Sequence, residues 1–236
     1  ILARLNQVIE QATARLDGYD AYGMTLAVEP FLDDLTNWYV RRSRRRFWKG
    51  EQDADKRAAY TTLYTVLTTL ARLLAPAVPF VTEVMYQNLV RSVDPGAPAS
   101  VHHTLWPVVD PAAVDDALIT QMALARQLVT VGHSARNSAN IKLRQPMARA
   151  LVYMEGAGRL DEELVELVRD ELNVKELAFV EAEEQLLTYR LLPNNKVLGP
   201  RFGSQFPAVR AALNALDPAA ARKRLAAGLP LTIEVA

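Results

Sequence analysis

The sequence contains no cysteine, which excludes a disulfide scaffold and every thiolate metal site. Histidine is nearly as scarce, with His102, His103 and His133 the only three. The adjacent pair would point to opposite sides of an extended segment, and structural zinc takes four converging ligands, so no metal site is expected. No run approaches the roughly 20 apolar residues of a membrane span, and no signal-peptide pattern is present. A soluble, cytoplasmic protein without a membrane partner is therefore expected. The sequence also lacks a Gly-x-Ser-x-Gly elbow, a dinucleotide-binding glycine pattern and a phosphate-binding P-loop. Two acidic pairs, Asp33-Asp34 and Asp115-Asp116, lie near predicted helix starts, where capping accounts for them better than acid–base catalysis. No catalytic residue is assigned.

What is present is a globular composition. Half of the 236 residues are hydrophobic and 23% are charged, enough for two domains and too apolar for disorder. The 27 basic and 27 acidic residues cancel, but they are unevenly placed. Six basic residues and no acid occupy 38–50, and five basic residues and no acid occupy 117–154. Eleven acids against three bases follow in 155–184. Two basic zones on a neutral chain suit a polyanion on one face. The chain opens in helical rhythm without a capping residue and closes on a β-branched alternation without a turn, so it is expected to be a piece of a larger protein.

Apolar spacing predicts five helices followed by a mixed region. The first carries Leu2, Leu5, Ile9, Ala12 and Leu16; the second spans about 22–48, with Pro30 expected to kink or restart it. The third covers about 56–74, the fourth 79–90 and the fifth 114–137, with Leu118, Met122, Ala125, Val129 and Gly132 on one face. A proline-rich crossing fills 92–111. Beyond Pro146, strands are predicted at 148–154, 174–180, 186–192 and 231–235, and helices at 160–172 and 207–216. The expected fold is α+β: a mainly α-helical bundle over 1–140, then a small α/β C-terminal domain over 141–236.

The strongest local signal is Asn37 to Lys49, NWYVRRSRRRFWK. At 100° per residue Trp38, Arg41, Arg42, Arg45 and Lys49 share a face, while Arg44, Arg46 and Trp48 complete the cluster. Upstream, Met24, Val28, Phe31, Leu32, Leu35 and Tyr39 form a core-facing stripe whose extension reaches Arg42, Ser43 and Arg46. That stripe turns cationic within one turn, so either the helix projects beyond the bundle or a polar or anionic surface covers it. Guanidinium groups bind phosphate bidentately, and tryptophan can stack on a base or on arginine. The alternatives are a solvated charge run with Trp38, Phe47 and Trp48 as core anchors, or arginines that bind acids of a missing domain. A second patch holds Arg136, where a cation also suits a helix C-terminus, together with Lys142 and Arg144, which alternate with Ile141 and Leu143. A third, PNNKVLGPRFGSQF, reads as a turn-rich loop bringing Lys196 and Arg201 near a ligand, or simply as a connection.

FLDDLTNWYVRRSRRRFWKG resembles the anticodon-binding region of class I aminoacyl-tRNA synthetases, specifically isoleucine–tRNA ligases of the branch shared by archaea, eukaryotes and some bacteria. YTTLYTVLTTLARLLAPAVPFVTEVMYQNL, SVHHTLWP, SARNSANIKLRQPM, DELNVKEL and LPNNKVLGPRFGSQFPAV follow in the family's order, so the resemblance covers essentially the whole chain. It implies a helical anticodon-binding domain with a C-terminal α/β extension, which helps to hold isoleucine tRNA alongside a catalytic domain of the same chain. ATP and magnesium are implied for that missing domain and no cofactor for this segment, which should be inactive alone, because the HIGH-type and KMSKS-type signatures are absent. A monomer is expected. The corresponding region of a valine or leucine ligase, or a helical protein-interaction module with a basic docking helix, are the alternatives.

Overall fold

The computed structural model describes residues 1–48, 50, 53–154, 160–187 and 189–233, apart from the Glu184 side chain. The chain divides into two compact units, 1–123 and 124–236.

The first unit is helical. Helix α1 (Leu2–Asp17) buries Leu5, Val8, Ile9 and Ala12 and ends at Gly18, where the Gly18 amide donates to the Ala14 carbonyl and the Tyr19 amide to the Leu16 carbonyl. Asp20 then caps α2 (Ala21–Asp33), accepting from the Gly23 amide at 2.7 Å. Pro30 was expected to kink or restart the second helix. It lies inside α2 instead, and helical structure continues through a π-helical stretch, Asp34–Val40, into α3 (Arg41–Trp48). The Asp33-Asp34 pair therefore sits within the helix, not at a start. Asp34 accepts from Arg4 Nε at 3.0 Å, and Asp33 accepts from Asn37 at 2.6 Å. Asp115 does act as a cap, accepting from the Leu118 amide at 2.8 Å.

The buried positions explain the π-helical stretch. Phe31, Leu35, Ser43 and Phe47 point inward with the half-buried Tyr39 between them, a repeat of four residues. In a straight α-helix such a row drifts by about 40° at each step, because the turn holds 3.6 residues. The wider π turn opposes that drift and keeps the row on one side. Leu32, expected on the core, precedes the π turn and is 40% exposed, at the edge of the Met24–Val28–Phe31 stripe of α2.

Helix α4 (Ala54–Leu74), capped by Asp53, supplies Val66, Leu70 and Leu73 to the same core. Helix α5 (Pro79–Tyr86) continues into a π-helical stretch, Gln87–Arg91. The crossing that follows is tied down by polar contacts. Trp106 Nε1 donates to Thr13 Oγ1 at 2.9 Å, and the Asp110 amide donates to buried Asn6 at 2.7 Å. Helix α6 (Asp116–Ser138) begins in the first unit and ends in the second. It buries Ala125 and Val129, whereas Leu118, expected on its inner face, is exposed.

In the second unit β1 (Met147–Tyr153), α7 (Glu162–Leu172) and β2 (Val174–Val180) form a βαβ unit. The strands are parallel, with Met147 opposite Val174 and Arg149 opposite Glu176. Leu164, Val168 and Leu172 form the buried stripe of α7, and Leu172 packs so closely on α6 that a Cβ at Gly132 would collide with both of its methyls. Asn173, left-handed at φ 50°, turns the chain from α7 into β2.

Three expectations fail in the last third. Residues 186–192 form no strand among the described residues, and neither do 231–233; 234 and 235 lie outside the described residues. The alternating pattern is present in both, but no sheet edge is paired with either to supply the hydrogen bonds that a strand needs. The glycine- and proline-rich segment read as a loop contains α8 (Asn195–Phe202), with Pro200 inside it. It is followed by α9 (Phe206–Ala215) and by an unpredicted α10 (Pro218–Ala226).

Phe31 is completely buried at the centre of the first unit's core. Phe31→Ala should lower stability by about 3–5 kcal/mol through lost burial and the cavity left behind, read as a shifted urea midpoint with an unchanged m-value.

Candidate nucleic-acid interface

Helix α3 forms because arginine and the aromatics tolerate helix well and no glycine or proline interrupts 41–48. Its inward side has only two buried residues, Ser43 and Phe47. The Phe47 ring meets Tyr60 of α4 edge to face at 5.1 Å, and the Tyr60 hydroxyl donates to the Phe47 carbonyl at 3.4 Å. Beside them, Arg46 Nε donates to Asp55 Oδ1 at 2.8 Å and its terminal nitrogen to the Asp55 carbonyl at 3.2 Å. The cationic extension of the core stripe is thus covered by a small hydroxyl, an aromatic ring and one carboxylate. That is the second of the two arrangements foreseen, and it removes Arg46 from the outer face.

The outer face is built from guanidinium–indole contacts. Arg41 and Arg42 lie 5.7 and 5.6 Å from the Trp38 ring centre, and Arg44 lies 5.7 Å from that of Trp48. Arg41 Nε also donates to the Asn37 carbonyl at 2.9 Å. Trp48 is 78% exposed, so neither it nor Trp38, which is half-buried, is a core anchor. Arg45 is exposed and makes no hydrogen bond or ion pair with the described residues. Lys49 lies outside the described residues. Arg41, Arg42, Arg44, Arg45, Trp38 and Trp48 therefore come together as one cationic, aromatic-lined surface.

The candidates of the second unit do not assemble in the same way. Arg136 is only 7% exposed. One terminal nitrogen donates to the carbonyls of Lys142 (2.8 Å), Leu143 (3.4 Å) and Gln145, so it shapes the turn after α6 from within. Lys142 and Arg144 are exposed on that turn, which is not extended as their alternation suggested, and Asn173 donates to its Leu143 carbonyl at 2.9 Å. Lys196 and Arg201 are exposed on α8, five residues and about 140° apart, so they diverge and do not cradle one ligand. Arg201 lies 5.7 Å from the Phe202 ring centre.

The reading of the residues missed Asp55. Its signal was available: acids return at 51, 53 and 55, directly after the basic run and Gly50, where a chain reversal would bring them back against α3. What α3 offers chemically is recognition without catalysis: positive charge for phosphate and exposed π faces for unstacked bases.

Residues 1–152, α3 included, match the family described as "Anticodon-binding domain of tRNA ligase". The chain belongs to that family. Relatives of the chain include the isoleucine–tRNA ligases of Thermus thermophilus, 43% identical over 99% of the chain, and Clostridium novyi, 43% identical over 92%. That of Dehalococcoides mccartyi is 50% identical over 77% of the chain. The chain spans about a fifth of the length of these relatives: 23%, 21% and 18%. The mainly helical architecture with a small α/β part fits the anticodon-binding family.

Because Arg136 is buried and holds backbone carbonyls, Arg136→Ala should act on stability first. It should cost about 1–3 kcal/mol, concentrated in the second unit, measured by hydrogen exchange of β1 and α7 amides.

Proposed function

We propose that this chain is the tRNA-holding C-terminal region of an isoleucine–tRNA ligase, with α3 as the surface that meets the anticodon arm. The observation that carries the reading is the outer face of α3, where Arg41, Arg42 and Arg44 flank two tryptophans. Phosphates supply the anion, and anticodon-loop bases, splayed from a single strand, supply the rings that stack. Lys142, Arg144, Lys196 and Arg201 are secondary contacts on the second unit. Lys49 belongs with α3 by sequence. Residues 1–140 act as the anticodon-binding domain and 141–236 as its α/β extension.

Isoleucine specificity is inferred from the relatives' names, since three of them are isoleucine–tRNA ligases matching 77–99% of the chain. In the full-length protein a separate catalytic domain would use ATP and magnesium to activate isoleucine in the cytoplasm. This region would contribute affinity and tRNA choice, and none of the reacting groups. We propose that it acts as a monomer.

The test is binding of the chain to unmodified isoleucine tRNA, with valine tRNA as competitor, across a salt series. Affinity should fall linearly in log salt, and Arg45→Ala should reduce the slope by about 0.7–0.9 for each phosphate left without its cation. Trp48→Ala should instead leave the slope unchanged and cost about 1–3 kcal/mol, the worth of one stacked base. No binding at low salt would remove α3 from RNA recognition. Equal binding of both tRNAs would remove the specificity.

A further inference from the structure

Helix α5 is built the wrong way round for a helix that only covers a core. Its inward residues include Thr82, 1% exposed, and Tyr86, 3% exposed. Both keep their hydroxyls satisfied locally: Thr82 donates to the Val78 and Pro79 carbonyls, and Tyr86 donates to the Pro98 carbonyl at 2.9 Å. The large apolar side chains lie outside. Phe80 is 86% exposed and Val81 and Val84 about 60%, and they continue an exposed Pro76-Ala77-Val78 segment. No charged residue occurs from 73 to 82. Glu83, the first acid after it, is turned to the other side, where it accepts from Ser100 Oγ at 2.8 Å and the Val101 amide at 3.0 Å. Charge depletion around exposed aromatic and aliphatic side chains marks the centre of an interface.

We propose that this α5 surface is a permanent internal interface, covered in the full-length protein by polypeptide from the four-fifths of the ligase that lies outside this chain. The inference rests on the reading of the chain as part of a longer ligase, and not on its binding of tRNA. Two considerations select this occupant. A nucleic acid finds no cation for its phosphates on an uncharged patch whose one aromatic ring stands among aliphatic side chains, whereas α3 offers it charge together with stacking. A second copy would need about 800 Å² per partner for a stable dimer, more than a short helix and its preceding turn present. A covalently linked domain needs less, since linkage supplies a high effective concentration. The relatives' length provides the linked polypeptide: the chain covers 23% of the Thermus thermophilus protein and 21% of the Clostridium novyi protein.

The absence of cysteine makes the surface measurable. Val81→Cys and Val84→Cys are conservative in size at exposed positions, and alkylation of each can be followed by peptide mass spectrometry in the 236-residue chain and in the full-length ligase. Both positions should be alkylated freely in the short chain and about ten-fold or more slowly in the full-length protein, as in a water-excluding interface core. Equal rates in the two proteins would overturn the proposal. So would protection in the short chain that grows with its own concentration, which assigns the patch to a second copy, or that appears on adding tRNA, which assigns it to RNA. The same variants retain Arg45 and Trp48, so their tRNA affinity reports separately on the α3 surface.

Discussion

The Phe31–Leu35–Tyr39–Ser43–Phe47 row decides what the rest of the first unit can do. A helix that carries five arginines in six positions cannot bury them, and a helix that buries nothing is not held in place. The four-residue inward repeat resolves the conflict by giving the core a narrow line of contact and leaving the remaining circumference to the cations. Maintaining that line over four steps requires the π-helical stretch 34–40, so the widened turn and the arginine display share a cause. At the basic end, the Arg46–Asp55 and Phe47–Tyr60 pairs both go to α4, which itself belongs to the main core through Val66 and Leu70. Positions on the outer face are thereby referred to a rigid scaffold while their own side chains stay accessible.

The guanidinium–indole contacts have a second consequence. A surface arginine ordinarily loses rotamer freedom when it engages a ligand, and that loss subtracts from affinity. Arg41, Arg42 and Arg44 already lie against tryptophan rings, so part of the ordering is complete before a phosphate arrives. An exposed tryptophan would otherwise be a solubility liability; beside cations it is partly shielded and still presents a ring edge and face.

How much of this was legible in the sequence varied with how local the determining physics is. Helices α1, α4, α6 and α7 follow from apolar spacing, and β2 from the short apolar run 177–180, because one face of each is buried by ordinary neighbours. The basic surface was legible because charge composition needs no three-dimensional partner to be noticed. Leu32 and Leu118 were misplaced, since a wheel ranks positions by angle and does not show where the buried arc stops or what lies opposite a helix end. Helix α10 was missed although its signs were complete: Asp217 caps the Ala219 and Ala220 amides, Pro218 occupies the first turn, and Gly228 follows with positive φ. Arg136 was misread for a different reason. A cation at the end of a helix satisfies the dipole whether it points outward or inward, and only the carbonyls of the following turn distinguish the two.

Two surfaces of opposite chemistry thus belong to one small helical unit. On α3 the buried line is apolar and the exposed side cationic, the usual order with the charge intensified. On α5 the order is reversed, with hydroxyls within and Phe80, Val81 and Val84 without. Reversal is tolerated on α5 because Thr82 and Tyr86 find acceptors in their own turn and in the Pro98 carbonyl, so neither buried hydroxyl is left unpaired. The side chains freed from the interior by that substitution then face outward without charge to keep them in water. A polyanion and an apolar polypeptide can therefore occupy the same unit without competing, since each surface repels or ignores what the other attracts.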